Sequence, residues 1–414
     1  MGLPLQARVD LARFWTTIQR SAEIGPGRPG GLARLTLTDD DRQMRDQFRD
    51  WCQQAGLAVM VDRMGNIFGR RAGQQDDLPP ILIGSHLDTQ VNGGRFDGIA
   101  GVLAGLELVR TLNDLGHVTR RPIVIVNWTN EEGARFSPPM VASGCFVGRY
   151  EEGWCHDLRA EDGARFGDEL QRIGYLGDAP GKGGPVDAYF ELHIEQGPIL
   201  DAEGRQMGVV TGGYPSHGIR VRFEGETAHT GPTPMDLRHN ALIAGARFLT
   251  AVDDIGWDFA VHDGKATGSR LTAWPNKAGI LSETAECVAD VRHPDPITAR
   301  VMAEKMRRAA HEAGARAGCA VVIEDEWFWG GDIFDPALIA LVRDEAVRQG
   351  WNWRDIKSQA GHDAYHLALH CPTAMIFAPC KGGITHNNRE SCEPEDFQAA
   401  LNVLLHAVVR HADR

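Results

Sequence analysis

A chain of 414 residues is long for a single hydrophobic core, so two domains are the natural expectation. Hydrophobic content of 43% and charged content of 24% are those of an ordinary globular protein, and a net charge of −13 disfavours nucleic acid or an anionic membrane surface as partner. No apolar run reaches the roughly 18 residues of a membrane span, and the start has neither the basic segment nor the apolar stretch of a signal peptide. Eight cysteines (52, 145, 155, 287, 319, 371, 380 and 392) are scattered without CxxC pairs and read as reduced thiols, so a cytoplasmic location is expected.

In chain order, residues 9–24 and 40–55 carry the apolar spacing of amphipathic helices. Residues 58–61 and 66–69 predict two strands with a turn between them. Ile81-Leu82-Ile83 has the wholly apolar pattern of a buried parallel strand. A helix follows over 98–115, then a second buried strand over 122–128. Strand, loop, helix, strand is a βαβ unit, which implies an α/β fold: a mostly parallel sheet with helices on both faces. Residues 151–185 are Gly- and Asp-rich and predict a connecting excursion with one short helix. Strand character resumes at 188–197. Between about 211 and 326 the pattern changes to alternating strands (219–225, 285–292) and two helices (236–252, 296–317), a small inserted α+β domain. A helix over 336–349, a buried strand over 373–378 and a last helix opening at Glu393-Pro394-Glu395-Asp396 complete the first domain, which therefore comprises 1–210 and 327–414.

Four polar clusters fall at the ends of strands of one sheet: His86, Asp88 and Asp97; Glu131 and Glu132; His193; and His386. In open α/β sheets, sites sit outside the carboxyl ends of strands. Three histidines and two or three carboxylates suffice for two divalent ions sharing one carboxylate, and a donor set without cysteine suits an open, hydrolytic site. Asp88, two residues beyond His86, is placed to hydrogen-bond its ring and fix its tautomer.

The chain resembles the M20 metallopeptidase superfamily, and within it the amidohydrolase branch of N-carbamoyl-L-amino acid hydrolases, β-ureidopropionases and allantoate amidohydrolases. The resemblance covers nearly the whole chain. Its carriers are Gly84-Ser-His-Leu-Asp-Thr, Gly93-Gly-Arg-Phe-Asp-Gly98, Asn130-Glu-Glu-Gly-Ala-Arg-Phe136, Glu191-Leu-His-Ile-Glu-Gln-Gly197, Ala228-His-Thr-Gly231, Gly361-His-Asp-Ala364 and Gly383-Ile-Thr-His386. It implies a Zn-peptidase-like catalytic domain with an inserted lid and dimerisation domain. His86 and His193 would each ligate one metal, Asp97 would bridge, and Glu132 and His386 would complete the second ion. Glu131 would be the general base and Asp88 would orient His86. Gln196, His229, Asn276, Arg292 and Gly361 would bind a small carboxylate-bearing ureido or amide substrate, with His229 polarising the scissile carbonyl. Zinc is the default metal, with manganese, cobalt or nickel as alternatives. A homodimer formed through the inserted domain is also implied.

The resemblance predicts hydrolysis of a linear C–N bond, foremost the carbamoyl amide of an N-carbamoyl-L-amino acid. Allantoate or ureidoglycolate hydrolysis and β-ureidopropionase activity are the alternatives, ahead of N-acyl amino acid or dipeptide hydrolysis. Three stretches depart from the family pattern: Arg238-His-Asn-Ala241, His386-Asn-Asn-Arg-Glu390 and Tyr214-Pro-Ser-His217. None of them removes an expected metal ligand.

Overall fold

The computed structural model describes residues 3–414; Met1 and Gly2, the start of the first expected segment, lie outside the described residues. The chain divides into two compact units, one of Met1–Thr211 with Ile333–Arg414 and one of Gly212–Asp332. In chain order the strands are β1 (Ala58–Val61), β2 (Ile67–Arg71), β3 (Ile81–His86), β4 (Ile123–Trp128), β5 (Ala188–Ile194), β6 (Met207–Glu224), β7 (Lys265–Trp274), β8 (Thr284–Arg292), β9 (Ala320–Gly331), β10 (Trp353–Ser358) and β11 (Thr373–Ala378).

In the first unit the strand order is β1-β2-β4-β3-β5-β11, and residues 208–210 of β6 pair with the outer side of β11. β4, β3, β5 and β11 run parallel, while β1 and β2 are antiparallel. All four parallel strands are buried along their whole length, which is why they read as unbroken apolar runs. The helix Ile99–Asp114 follows β3 and is buried on nearly every side. The helix Pro394–Ala412 starts where its sequence signals it: Glu393 and Asp396 form a reciprocal capping box with Pro394 in the first turn.

A buried ion pair braces this unit. Arg45 donates to Asp41 Oδ2 at 2.7 Å, to the Gly65 carbonyl at 2.7 Å and to Thr129 Oγ1 at 3.2 Å, with both charged side chains almost fully buried. Breaking such a pair leaves a buried charge unmatched. Arg45→Met is therefore expected to destabilise the protein by about 3–5 kcal/mol. A thermal midpoint equal to that of the parent chain would contradict this.

In the second unit β6 lies between β8 and β9, and β7 pairs with β8, all antiparallel. Along β8 the inward residues Ala285, Cys287, Ala289 and Val291 alternate with half-exposed ones. They pack with Ile219, Val221 and Phe223 of β6 against Phe248 and Val252 of the helix Ala241–Phe259 and Met302 and Met306 of Pro296–Ala317.

The structure departs from the sequence reading at several points. The segment 151–185 holds two short helices, Glu152–His156 and Phe166–Arg172, rather than one. The helix expected from 236 begins at Ala241, after a 3-10 turn in which Met235 and Leu237 are exposed with no core to bury them. β6 starts at Met207, not at 219; Gly212, Gly213 and Pro215 look like strand breakers but fall at a register shift that β6 absorbs against β9. All eight cysteines are free and buried. Among the described residues no helix is long and apolar enough to cross a membrane.

Candidate metal centre

His86 is the last residue of β3 and is buried, with Nδ1 2.9 Å from the Asp88 carbonyl. That contact requires the proton on Nδ1 and leaves the Nε2 lone pair free. His193, next to last in β5, likewise has Nδ1 2.9 Å from the Ile194 carbonyl, while its Nε2 accepts from Gly98 N at 3.2 Å. Both Nε2 atoms face one carboxylate oxygen: Asp97 Oδ1 lies 3.8 Å from His86 Nε2 and 3.2 Å from His193 Nε2. The other oxygen, Asp97 Oδ2, lies 3.1 Å from His386 Nε2, which is in turn 3.3 Å from Glu132 Oε2. Asp97 thus belongs to two donor trios, with His86 and His193 on one side and with Glu132 and His386 on the other.

Gly98 permits this approach. Its φ is +67°, and a Cβ there would lie 2.2 Å from the His86 ring. Only glycine satisfies both constraints.

The two adjacent glutamates point apart, and Asn130 just before them has φ +61°. Glu132 accepts from Gln90 N at 3.1 Å and Gln90 Nε2 at 3.0 Å. Glu131 instead places Oε2 3.4 Å from His86 Nε2. Asp88, expected to orient His86 through its carboxylate, does so through its carbonyl. Its carboxylate oxygens accept from the backbone N–H of Glu131 and of Glu132, each at 3.3 Å, and so fix the direction of both.

Burial, reinforced by Asp363 and Glu132, holds Glu131 well above the usual carboxylate range. Burial and the charge of Asp97 push Glu132 up to about 8. His86 is lowered by burial to about 4 and so stays neutral near pH 7. At Asp97 burial opposes the charge, but hydrogen bonds with His193 and His386 overcome it and hold the carboxyl low. His386 is partly exposed; partial desolvation opposes its protonation, and Asp97 and Glu132 nevertheless raise it to about 9. Carboxylates packed this closely repel one another, and with the neutral His86 ring and the imidazole nitrogens of His193 and His386 on either side of Asp97 they form a donor set for divalent cations.

Residues 82–410 match the model of peptidase family M20/M25/M40. The chain belongs to that family. It is 43% identical over 406 residues to the N-carbamoyl-L-amino-acid amidohydrolase of Rhizobium meliloti, covering 98% of this chain and 97% of the relative. A crystal structure of an amidase of the hydantoinase/carbamoylase family from Burkholderia vietnamiensis superposes with a TM-score of 0.95 at 44% identity, covering 100% of both chains. The allantoate amidohydrolase of Bacillus subtilis is 28% identical over 394 residues, with 94% of each chain covered.

Around this M20 cluster lie further polar residues, the expected Gln196 among them. Gln196, at φ +58°, donates Nε2 to Asp97 Oδ2 at 2.9 Å, and Thr385 Oγ1 lies 3.1 Å from the same oxygen. Glu390 accepts from Phe96 N at 2.8 Å and Asp97 N at 3.2 Å, clamping the turn that carries Asp97. It lies within one of the departures from the family pattern; only the fold shows that it reaches back nearly 300 residues. Glu195 caps the short helix Ile199–Ala202, accepting from Ile199 N and Leu200 N at 2.9 and 2.7 Å. His362 packs its ring 4.5 Å from that of His193 and bonds Ser358 Oγ at 3.0 Å, with Gly361 just before it.

The remaining three expected substrate residues lie in the second unit. His229 is exposed, its Nδ1 accepting from Gly231 N at 3.0 Å, and Asn276 is exposed on the loop after β7. Arg292 ends β8 and donates Nε to Asp290 Oδ1 at 2.8 Å.

Proposed function

We propose that this chain hydrolyses the carbamoyl amide of an N-carbamoyl-L-amino acid to the amino acid, carbon dioxide and ammonia. The observation that carries the reaction class is Asp97, whose two oxygens face separate donor pairs, with the Glu131 carboxylate beside them 3.4 Å from His86 Nε2. The full-length identity to the Rhizobium meliloti amidohydrolase supports the substrate. The donor chemistry fits two divalent ions, zinc by default: His86 and His193 would hold one, Glu132 and His386 the other, with Asp97 shared. When bound, such ions acidify water towards neutrality and polarise the scissile carbonyl.

The protein's own groups do the rest. Glu131 Oε2 takes the proton from the attacking water and delivers it to the departing nitrogen, which must leave as an amine rather than an amide anion. Asp88 keeps Glu131 and Glu132 on separate tasks by holding both backbone N–H groups. His229, Asn276 and Arg292 are assigned to substrate binding, Arg292 to its carboxylate because a guanidinium fork binds that group bidentately. A second ureido substrate, allantoate, is the alternative, supported by the Bacillus subtilis relative.

Ammonia release by metal-loaded protein from N-carbamoyl-L-amino acids, N-carbamoyl-β-alanine, allantoate and ureidoglycolate, with N-acetyl amino acids scored for free amine, separates these readings. Turnover of the N-carbamoyl-L-amino acids above the others is expected. Cleavage of the acetyl compounds alone would sink the carbamoyl assignment.

The reading includes a homodimer formed through the second unit. β7 pairs only with β8 among the described strands and turns an exposed face outward, Leu271 and Trp274 included. An unpaired edge strand carrying apolar side chains invites pairing with a second copy. A Leu271→Glu, Trp274→Glu double variant is expected to elute as a monomer in light-scattering chromatography where the parent elutes as a dimer. Equal masses would contradict it. The cytoplasm is the expected compartment, in keeping with eight free thiols.

A further inference from the structure

A polar cleft of about 520 Å³ opens in the first unit between the helices Leu11–Ser21, Asp39–Gln54 and Ile99–Asp114. Arg13, Arg20 and Arg110 line it; Asp114 is its one acidic lining residue. Asp114 is already engaged, 2.8 Å from Arg13 Nη1, and Arg13 is further matched by Glu107 at 2.7 and 2.9 Å. Arg13 is therefore neutralised twice over.

Arg20 and Arg110 are not. Half-buried Arg110 donates to Thr17 Oγ1 at 3.0 Å, and among the described residues neither arginine has a carboxylate within salt-bridge distance. Burial lowers the affinity of Arg110 for its proton, and although Glu107 pulls the other way, the charges of Arg13 and Arg20 lower it further. Two uncompensated guanidinium groups thus share a concave surface with the Gln54 amide, in a chain whose net charge is −13. A partly desolvated Arg110 without an ion-pair partner is costly, exposed Arg20 lies on the same cleft, and guanidinium forks match tetrahedral oxyanions in geometry as well as charge.

We propose that this cleft binds a small phosphate-bearing anion, held by Arg20 and Arg110. The site is separate from the residues assigned to hydrolysis, and the proposal does not depend on which amide is cleaved.

Inorganic phosphate and pyrophosphate are the probes, titrated into metal-loaded protein at constant ionic strength made up with chloride and followed by 31P line broadening and thermal shift. Saturable binding is expected. It should weaken about tenfold or more in Arg110→Gln, as loss of a charge-assisted contact implies, and likewise in Arg20→Ser, whose exposed position spares the fold. Amide hydrolysis should stay at the parent level in both variants. Unchanged phosphate affinity in both variants would place the anion elsewhere, the metal centre included, and overturn the proposal. A shift that chloride reproduces would overturn it too.

Discussion

Glu131→Gln is expected to lower kcat on the order of 10³–10⁴-fold while leaving KM and metal content close to those of the parent chain. The amide keeps the size and hydrogen-bonding reach of the carboxylate but cannot accept the proton that attacking water must lose. Nor can it carry that proton to the leaving nitrogen. Glu131 contacts His86 but is not placed between the two donor trios, so its loss should spare the metals. Metal analysis beside steady-state kinetics checks both halves. A variant that loses metal in step with activity would make Glu131 a ligand and not a base.

Asp97→Asn should fail in the opposite way. Asp97 is shared by both trios, so removing its charge weakens both at once. Loss of metal occupancy is expected, with activity falling at least on the order of a thousandfold, since charge stabilisation by bound cations supplies several kcal/mol. Excess metal should restore part of that activity, whereas it should restore none in Glu131→Gln. A variant retaining full occupancy would remove Asp97 from its bridging place.

Much of this centre is legible in the sequence because parallel sheets leave a plain signature. β3, β4, β5 and β11 are buried on both faces and read as continuous apolar runs, so the polar residues that end them stand out. His86, Glu131, Glu132 and His193 are visible for that reason. Asp97 and His386 sit in the loops beyond β3 and β11, where the strand-end pattern already marks them, and the family resemblance supplies their roles. Hidden from the sequence are the contacts that depend on distant chain segments meeting: Glu390 on the Asp97 turn, Gln196 on Asp97 Oδ2, and the Asp88 carboxylate on the two glutamate amides rather than on His86. No periodicity encodes these.

In the second unit β8 alternates cleanly and is easily read. β7 is exposed along most of its length and mixes polar and apolar residues, and β9 places Glu324-Asp325-Glu326 in mid-strand, so neither shows a strand pattern. Their partners define them, not their own sequences.

We propose that Asp97 organises a two-metal centre on which amide hydrolysis depends. The most direct test is titration of metal-stripped protein with Zn²⁺ or Mn²⁺, reading bound metal per chain and ammonia release from an N-carbamoyl-L-amino acid in the same samples. No turnover is expected without metal, with activity rising to a plateau as occupancy reaches two ions per chain and Asp97→Asn failing to reach that occupancy. Full activity in stripped protein, or a plateau at two ions per chain in Asp97→Asn, would contradict it.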